Sequence, residues 1–246
     1  MNRFKADLHI HTVLSPCGVL EMSPTNIIRA AKSKQLDLIG ITDHNSTRQC
    51  AVVRKLGLKE GIYVLCGTEV TTKEEAHCLA FFDTTESLEA FQVYLDAHLP
   101  EVKNNPDLFG YQVAVDADDN IFFEEDRSLL SAIDQSIEKI EETIHSLNGI
   151  FIPAHINKSK NSVISQLGFI PDDLKYDALE LSKHISREDF ISKNKYLKDN
   201  VFIKNSDAHL LELIGETTTV FVMEALNFEE IKKALHHIDN RTVIIE

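Results

Sequence analysis

The chain has 246 residues, 43% of them hydrophobic and 26% charged. Those are the proportions of a globular protein with a substantial core, not of a disordered or disulfide-dependent chain. Its 25 Lys and Arg against 39 Asp and Glu give a formal charge of −14 with histidine neutral, which argues against general attraction to phosphate backbones or anionic lipids.

Apolar runs rich in Ile, Val and Leu alternate with amphipathic stretches along the whole chain. A first strand is expected over Lys5–Ile10. Ser23-Pro24 then reads as N-cap and first position of a helix running to about Gln35. Strands follow at Leu36–Ile41, Ile62–Val70 and His77–Phe82. Between about Leu99 and Leu130, Gln112–Val115 and Ile121–Phe123 flank the turn Asp116–Asn120, the pattern of an inserted β-hairpin, with a helix expected at Leu129. Asp134 to Leu147 places Ile137, Ile140, Ile144 and Leu147 on one helical face and stops at Asn148-Gly149. Strands at Ile150–Pro153, Ala178–Leu181, Val201–Ile203, Thr218–Val222 and Thr242–Ile245 complete the pattern, with helices over Ser186–Leu197 and Asn227–His237. Strand–helix alternation of this kind predicts an α/β fold around a mostly parallel sheet, open or closed into a barrel, in one domain over residues 1–246.

No segment approaches 18 uninterrupted apolar residues, and the opening MNRFKADLHIH has no apolar run of signal-peptide length. Cys17, Cys50, Cys66 and Cys78 form no CxxC pair. Reduced thiols, a cytoplasmic location and no membrane partner are the expectation.

The chemistry collects where apolar strands end. The first strand closes on Asp7-Leu8-His9-Ile10-His11, and strand alternation points Asp7, His9 and His11 the same way. Thr42-Asp43-His44, Gly67-Thr68-Glu69, Pro153-Ala154-His155 and Ser206-Asp207-Ala208-His209 end later strands. The loops at the C-terminal face of an α/β barrel converge on one site. His77 is the exception, because it opens a strand; its placement requires a strand entering the site from the other side, or a different strand boundary. A single histidine at a strand end is more often a hydrogen-bonded surface residue than a ligand, but six of the eleven with Asp7, Glu69 and Asp207 exceed coincidence. Imidazole with carboxylate suits zinc, manganese or iron, and the donors outnumber those of one tetrahedral zinc. Of the remaining histidines, His98, His145, His236 and His237 sit in or at the ends of helices, where exposure or a favourable helix-end charge accounts for them.

These motifs, in order and spacing from residue 7 to residue 209, resemble those of the PHP (polymerase and histidinol phosphatase) family. The resemblance implies a distorted (β/α)7 barrel, two or three divalent metal ions and hydrolysis of phosphate esters. By that resemblance His9, His11, Glu69 and Asp207 hold one metal. Glu69 bridges to a second metal held by His77 and His155, and His44 and His209 hold a third. Family members carry a further Asp or His shortly after the second histidine of the first motif. Here the loop reads Thr12-Val13-Leu14-Ser15-Pro16-Cys17-Gly18-Val19-Leu20-Glu21, in which Cys17 or Glu21 can coordinate. The alternative for Cys17 is a small packed residue beside Gly18.

Asp43 and His209 are the residues assigned catalytic roles, Asp43 either as proton donor to the leaving group or as a partner that orients a ligand histidine. Arg127, Lys158, Lys183 and His184 are the candidates for binding phosphate, Arg127 first because a guanidinium pairs with phosphate bidentately; the alternative for each is a solvated surface charge. The substrate expected is a small phosphate ester, with a short oligonucleotide as the alternative and long nucleic acid excluded by the acidic balance. A metal-binding regulatory domain without turnover is the non-enzymatic alternative.

Overall fold

The computed structural model describes residues 1–245. In chain order the elements are β1 (Asn2–Ile10), α1 (Pro24–Ser33), β2 (Leu38–Ile41), α2 (Cys50–Glu60), β3 (Tyr63–Thr71), β4 (His77–Phe82) and α3 (Thr85–His98). Then come α4 (Pro106–Phe109), β5 (Val113–Val115), β6 (Ile121–Glu124), α5 (Ile137–Ser146), β7 (Ile150–Pro153) and α6 (Val163–Leu167). The chain finishes with β8 (Leu179–Leu181), α7 (Arg187–Lys193), β9 (Phe202–Lys204), β10 (Thr219–Met223), α8 (Phe228–Leu235) and β11 (Thr242–Ile245).

The main sheet has the order β11-β10-β1-β2-β3-β4-β7, and β8 pairs with β9. Two backbone links curl these pieces into a ring. Ile156 N–H donates to the Glu180 carbonyl (2.9 Å), joining the end of β7 to β8. Past β9, Ala208 and β1 exchange bonds, Ala208 N–H to His9 O and His11 N–H to Ala208 O, both 3.0 Å. The result is the distorted barrel that the motifs imply, with β10 laid against the first half of β1 and β11 outside it.

The expectation of a mostly parallel sheet is corrected. β1, β2 and β3 are parallel, but β4 runs antiparallel between β3 and β7, and β10 is antiparallel to β1. A parallel return needs a crossover of a dozen or more residues, and the short turn 72–76 between β3 and β4 leaves room only for a hairpin. This reversal brings His77, the first residue of β4, opposite Thr71 at the end of β3.

Both faces of the strands are buried, which explains their nearly continuous apolar runs. Along β4, Leu79 and Phe81 join an inner cluster with Leu65, Ile152 and Ile203, while Cys78, Ala80 and Phe82 join the outer one beneath the helices. His77 has the parity of Leu79 and Phe81, and Glu69 that of Leu65. The polar residues therefore extend the inner layer at its upper end.

The 99–130 segment holds the expected hairpin, β5 with β6. The helix expected at Leu129 is absent; Leu129 is buried, and its carbonyl and that of Ser131 accept from the Asn45 amide. The next helix waits for Ser136, whose hydroxyl caps Lys139 N–H, because Asp134 is engaged by His98 instead. The hairpin docks on the loops after β1 and β2. Val113 and Val115 pack on Val13, and the Gln49 side chain bonds both backbone groups of Val115 at 2.8 Å. Among the described residues no helix is long and apolar enough to cross a membrane.

Candidate metal centre

Glu69 sits near the end of β3 with only 1% exposure, and five imidazoles from four different strands or their following loops surround its carboxylate. Oε1 faces His9 Nε2 (3.3 Å), His77 Nδ1 (2.9 Å) and His155 Nε2 (3.0 Å). Oε2 faces His11 Nε2 (3.3 Å) and His44 Nδ1 (3.2 Å). Asp207 Oδ1 lies 3.5 Å from His9 Nε2 and 3.6 Å from His11 Nε2, and the His209 ring stacks on that of His11 at 4.1 Å. All eight residues that the family resemblance assigns to metals thus meet in one place.

Cys17 joins them. Its Sγ lies within 4.8 Å of ring nitrogens of His11, His44 and His209, a group with metal-ligand spacing. Two further groups, His9-His11-Glu69 and His44-Glu69-His77, have the same property. The other side chain considered in that loop, Glu21, is exposed and belongs to none of the three.

The fit to a metal can be tested from the hydrogen bonds. His9 Nδ1 lies 3.1 Å from both oxygens of Glu180, which places its proton there and leaves the Nε2 lone pair toward Glu69 and Asp207. His11 Nδ1 donates to Ser15 Oγ (3.0 Å), because that hydroxyl itself donates to Asp43 Oδ1 (2.6 Å). His9 Nε2, His11 Nε2 and His44 Nδ1 are buried with no hydrogen-bond partner. Each such orphan costs on the order of 1–3 kcal/mol when buried, and several converging on two carboxylates match the donor set of a divalent ion.

The electrostatics agree. Burial disfavours charge on Glu69, but His77, His9 and His44 hold it well below the usual carboxylate range. Burial likewise opposes the ionised form of Asp207, and His9 and His11 outweigh it, so its pKa is also lowered. Burial lowers His209 to about 4, assisted by the neighbouring His11, so that ring is neutral and free to coordinate near pH 7. Cys17 is exposed on its loop, but desolvation on the side facing the cluster raises its thiol, with Glu69 and Asp43 adding to the effect; only a cation at the site would favour its thiolate.

Asp43 is buried under this cluster and accepts from Thr12 N–H (2.7 Å), Thr12 Oγ1 (2.7 Å) and Ser15 Oγ (2.6 Å). These three donors fit the orienting alternative, in which Asp43 aligns His11 through Ser15. Asp7 is bonded away from the imidazoles, to Ser206 N–H, Ser206 Oγ and Gly215 N–H. It anchors the loop that carries Asp207 and His209, and burial raises its own pKa to about 6.

Lys158 pairs with Asp207, and with Lys183 and His184 it lines a small cavity of about 80 Å³ that also touches His155 and Asp207. Three of the four proposed phosphate contacts are therefore beside the metal ligands. Arg127 is not among them. Its guanidinium bonds Glu125 (3.0 Å) and the carbonyls of Asp96 (2.9 Å) and Leu99 (3.4 Å), tying the inserted segment to α3.

Glu180 and Asn205 were missed from the sequence. The Glu180 carboxylate, 2% exposed, receives His9 Nδ1, His155 N–H (2.8 Å) and Asn205 Nδ2 (2.8 Å). The signal was an acid between two leucines in a buried strand, since a buried charge requires partners. Nor did the sequence reveal that His155 (φ 29°) and Asp207 (φ 54°) hold left-handed backbone conformations, each costing on the order of 1–3 kcal/mol. The bond from His155 N–H to Glu180 and the bonds of Ala208 to β1 hold them there.

Comparison with known proteins gives the same picture. A family model described as PHP domain matches residues 7–240. The Bacillus subtilis protein YqxK, described as uncharacterized, is 25% identical over 276 aligned positions, covering 99% of this chain and 65% of its own. The lesion-specific endonuclease PfuEndoQ from Pyrococcus furiosus superposes with a TM-score of 0.74 at 22% identity, covering 98% of this chain and 58% of that one. Endonuclease Q in complex with a 27-mer duplex substrate, an abasic lesion at the active site, gives 0.73 at 23% identity with the same coverage. At these identities the structural likeness is one of fold, and this chain spans less than two thirds of each of these relatives.

Proposed function

We propose that this chain, which belongs to the PHP domain family, is a metal-dependent phosphoesterase that hydrolyses phosphate esters with two or three divalent ions. The observation that carries the reading is the set of buried, unpartnered imidazole nitrogens converging on Glu69 and Asp207. His9, His11, Glu69 and Asp207 would hold one ion, Glu69, His77 and His155 a second, and His44, His209 and Cys17 a third. The ions, when bound, supply an activated water and polarise the phosphoryl oxygens.

The chain's own residues do the rest. Lys158, Lys183 and His184 line the cavity beside His155 and Asp207, where the two ammonium groups and the N–H donors would meet phosphoryl oxygens. Lys158, held beside Asp207 at the edge of that cavity, would offer its ammonium to a phosphoryl oxygen. Glu180 and Ser15 fix the tautomers of His9 and His11. A second reading, cleavage within a nucleic acid, is favoured by the duplex substrate of the structurally similar endonuclease Q.

The test is phosphate release from nucleotides, sugar phosphates, histidinol phosphate and a dinucleotide, before and after chelation. Release that stops on chelation and returns with zinc, manganese or iron is expected. A protein inert on every ester in the presence of all three metals would contradict the proposal and leave a metal-binding domain without turnover.

A further inference from the structure

The charge on this acidic chain is unevenly spread. Helix α1 carries Arg29 and Lys32 and no acid; α2 carries Arg54, Lys55 and Lys59 against Glu60 alone. The other helices are neutral or acidic: α3 has Glu86, Glu89 and Asp96 with no Lys or Arg, and α5 has three acids to one lysine. α1 and α2 pack side by side. Between them runs a groove of about 280 Å³ lined by Thr25, Arg29, Lys32, Lys59 and Glu60 over the apolar floor of Ile28 and Leu56. Lys32 pairs with Glu60 in the groove, and Lys32 and Lys59 lie in last turns, where a cation stabilises any helix; Arg54 turns away to Asp83 O and Thr85 Oγ1 beside α3. Arg29 and the exposed Lys55 have neither explanation, so helix-end stabilisation alone does not account for the face.

The groove also has a direction. Its Thr25 end follows the loop that starts at His11 and carries Cys17, and Thr25 Oγ1 bonds the hairpin turn at Ala117 O (3.0 Å). From there α1 runs its ten residues away from the metal centre, about 15 Å at 1.5 Å per residue. A duplex strand places a phosphate every ~3.4 Å along its axis, so this length meets about four of them.

We infer that the α1–α2 face is a nucleic-acid backbone surface, which holds a polynucleotide substrate whose reacting phosphate lies at the metal centre. The inference rests on the phosphoesterase reading and narrows its substrate to a polymer. It also reverses the exclusion of long nucleic acid drawn from net charge, because the −14 is an average over faces of opposite sign.

Anisotropy of a labelled single strand of about 20 nucleotides with the metal-stripped full chain, between about 50 and 200 mM salt, tests it. Replacing Arg29, Lys32 and Lys59 by Gln should weaken binding at least about tenfold. It should also reduce the slope of log affinity against log salt by about 2, since each lost contact on a single strand is worth ~0.7. Replacing the exposed Lys139, Lys193 and Lys198 by Gln should change neither. Hydrolysis of bis(p-nitrophenyl) phosphate by the metal-loaded variants, expected to equal wild type, reports the centre separately. Its absence in every sample, alongside charge-dependent strand binding, would sink the hydrolase reading while supporting the surface. Equal affinity and slope in the groove variant, no strand binding by wild type, or binding only to phosphatidylserine vesicles would overturn the inference.

Discussion

Two histidine–carboxylate clusters lie at opposite ends of the barrel, and their hydrogen bonds separate a ligand site from a structural one. At the upper end four buried ring nitrogens, on His9, His11, His44 and His155, have no partner, and five imidazoles share one carboxylate. At the lower end, Asp177 before β8 accepts from Phe151 N–H (2.7 Å), His236 Nε2 (2.7 Å) and His145 Nε2 (3.3 Å), while His145 Nδ1 meets Glu141 at 2.6 Å. Both nitrogens of His145 face carboxylates, so the ring is a protonated clasp between α5 and the β7–β8 edge. The same residue types do different work because one set is satisfied internally and the other is not.

Four substitutions press on that contrast. Glu69→Gln removes the shared carboxylate and should lower phosphoester turnover by at least about 10³-fold, the several kcal/mol that metal-assisted charge stabilisation contributes; steady-state kinetics with measured metal content will show it. Glu180→Gln leaves every ligand in place but loosens the proton on His9 Nδ1. A 10–100-fold loss of metal affinity is expected by competition with a chelator, and unchanged affinity would remove Glu180 from the site's support. Cys17→Ser should cost one ion and leave the other two; if metal content and activity are both unaltered, Cys17 is packing.

The fourth lies at the other end. Asp177→Asn should leave metal content and turnover intact while destabilising the fold by about 1–3 kcal/mol, at about 2–4 °C in Tm for each kcal/mol. Its pH dependence follows from the shifts. His145 is raised by the hydrogen bond it donates to Asp177, partly offset by burial, so its contribution is full below about pH 6.5 and fades as pH rises through its folded pKa. Asp177 is opposed by burial but lowered overall by His145 and His236, so its contribution is full above about pH 4 and fades in stronger acid. The Tm difference between wild type and variant should peak near pH 5–6 and shrink by pH 9. A difference that grows with pH would rule out the protonated clasp.

Much of the upper cluster was legible because strand ends are short and local: Asp207 and His209 follow β9 within five residues of its end. His77 was placed beside Glu69 and His155 only through the family resemblance, since its position depends on β4 reversing direction after a tight turn. Glu180 stayed hidden because its role is set by His9, far away in sequence, rather than by flanking residues. Arg127 misled for the reverse reason: its local setting, a cation beyond a hairpin, looked open, while Glu125 and two carbonyls of the α3 end already occupy it. His145 and His236 could be assigned to helices or helix ends, but their meeting at Asp177 is a product of packing.

Elemental analysis of purified wild type, Glu69→Gln and Asp177→Asn, each stripped and reloaded with zinc, manganese or iron, separates the two ends in one measurement. Two or three ions per chain in wild type and in Asp177→Asn, with a clear loss in Glu69→Gln, is the predicted result. A wild type that takes up no metal, or a Glu69→Gln variant that retains the full complement, would contradict the assignment of the upper cluster as the metal centre.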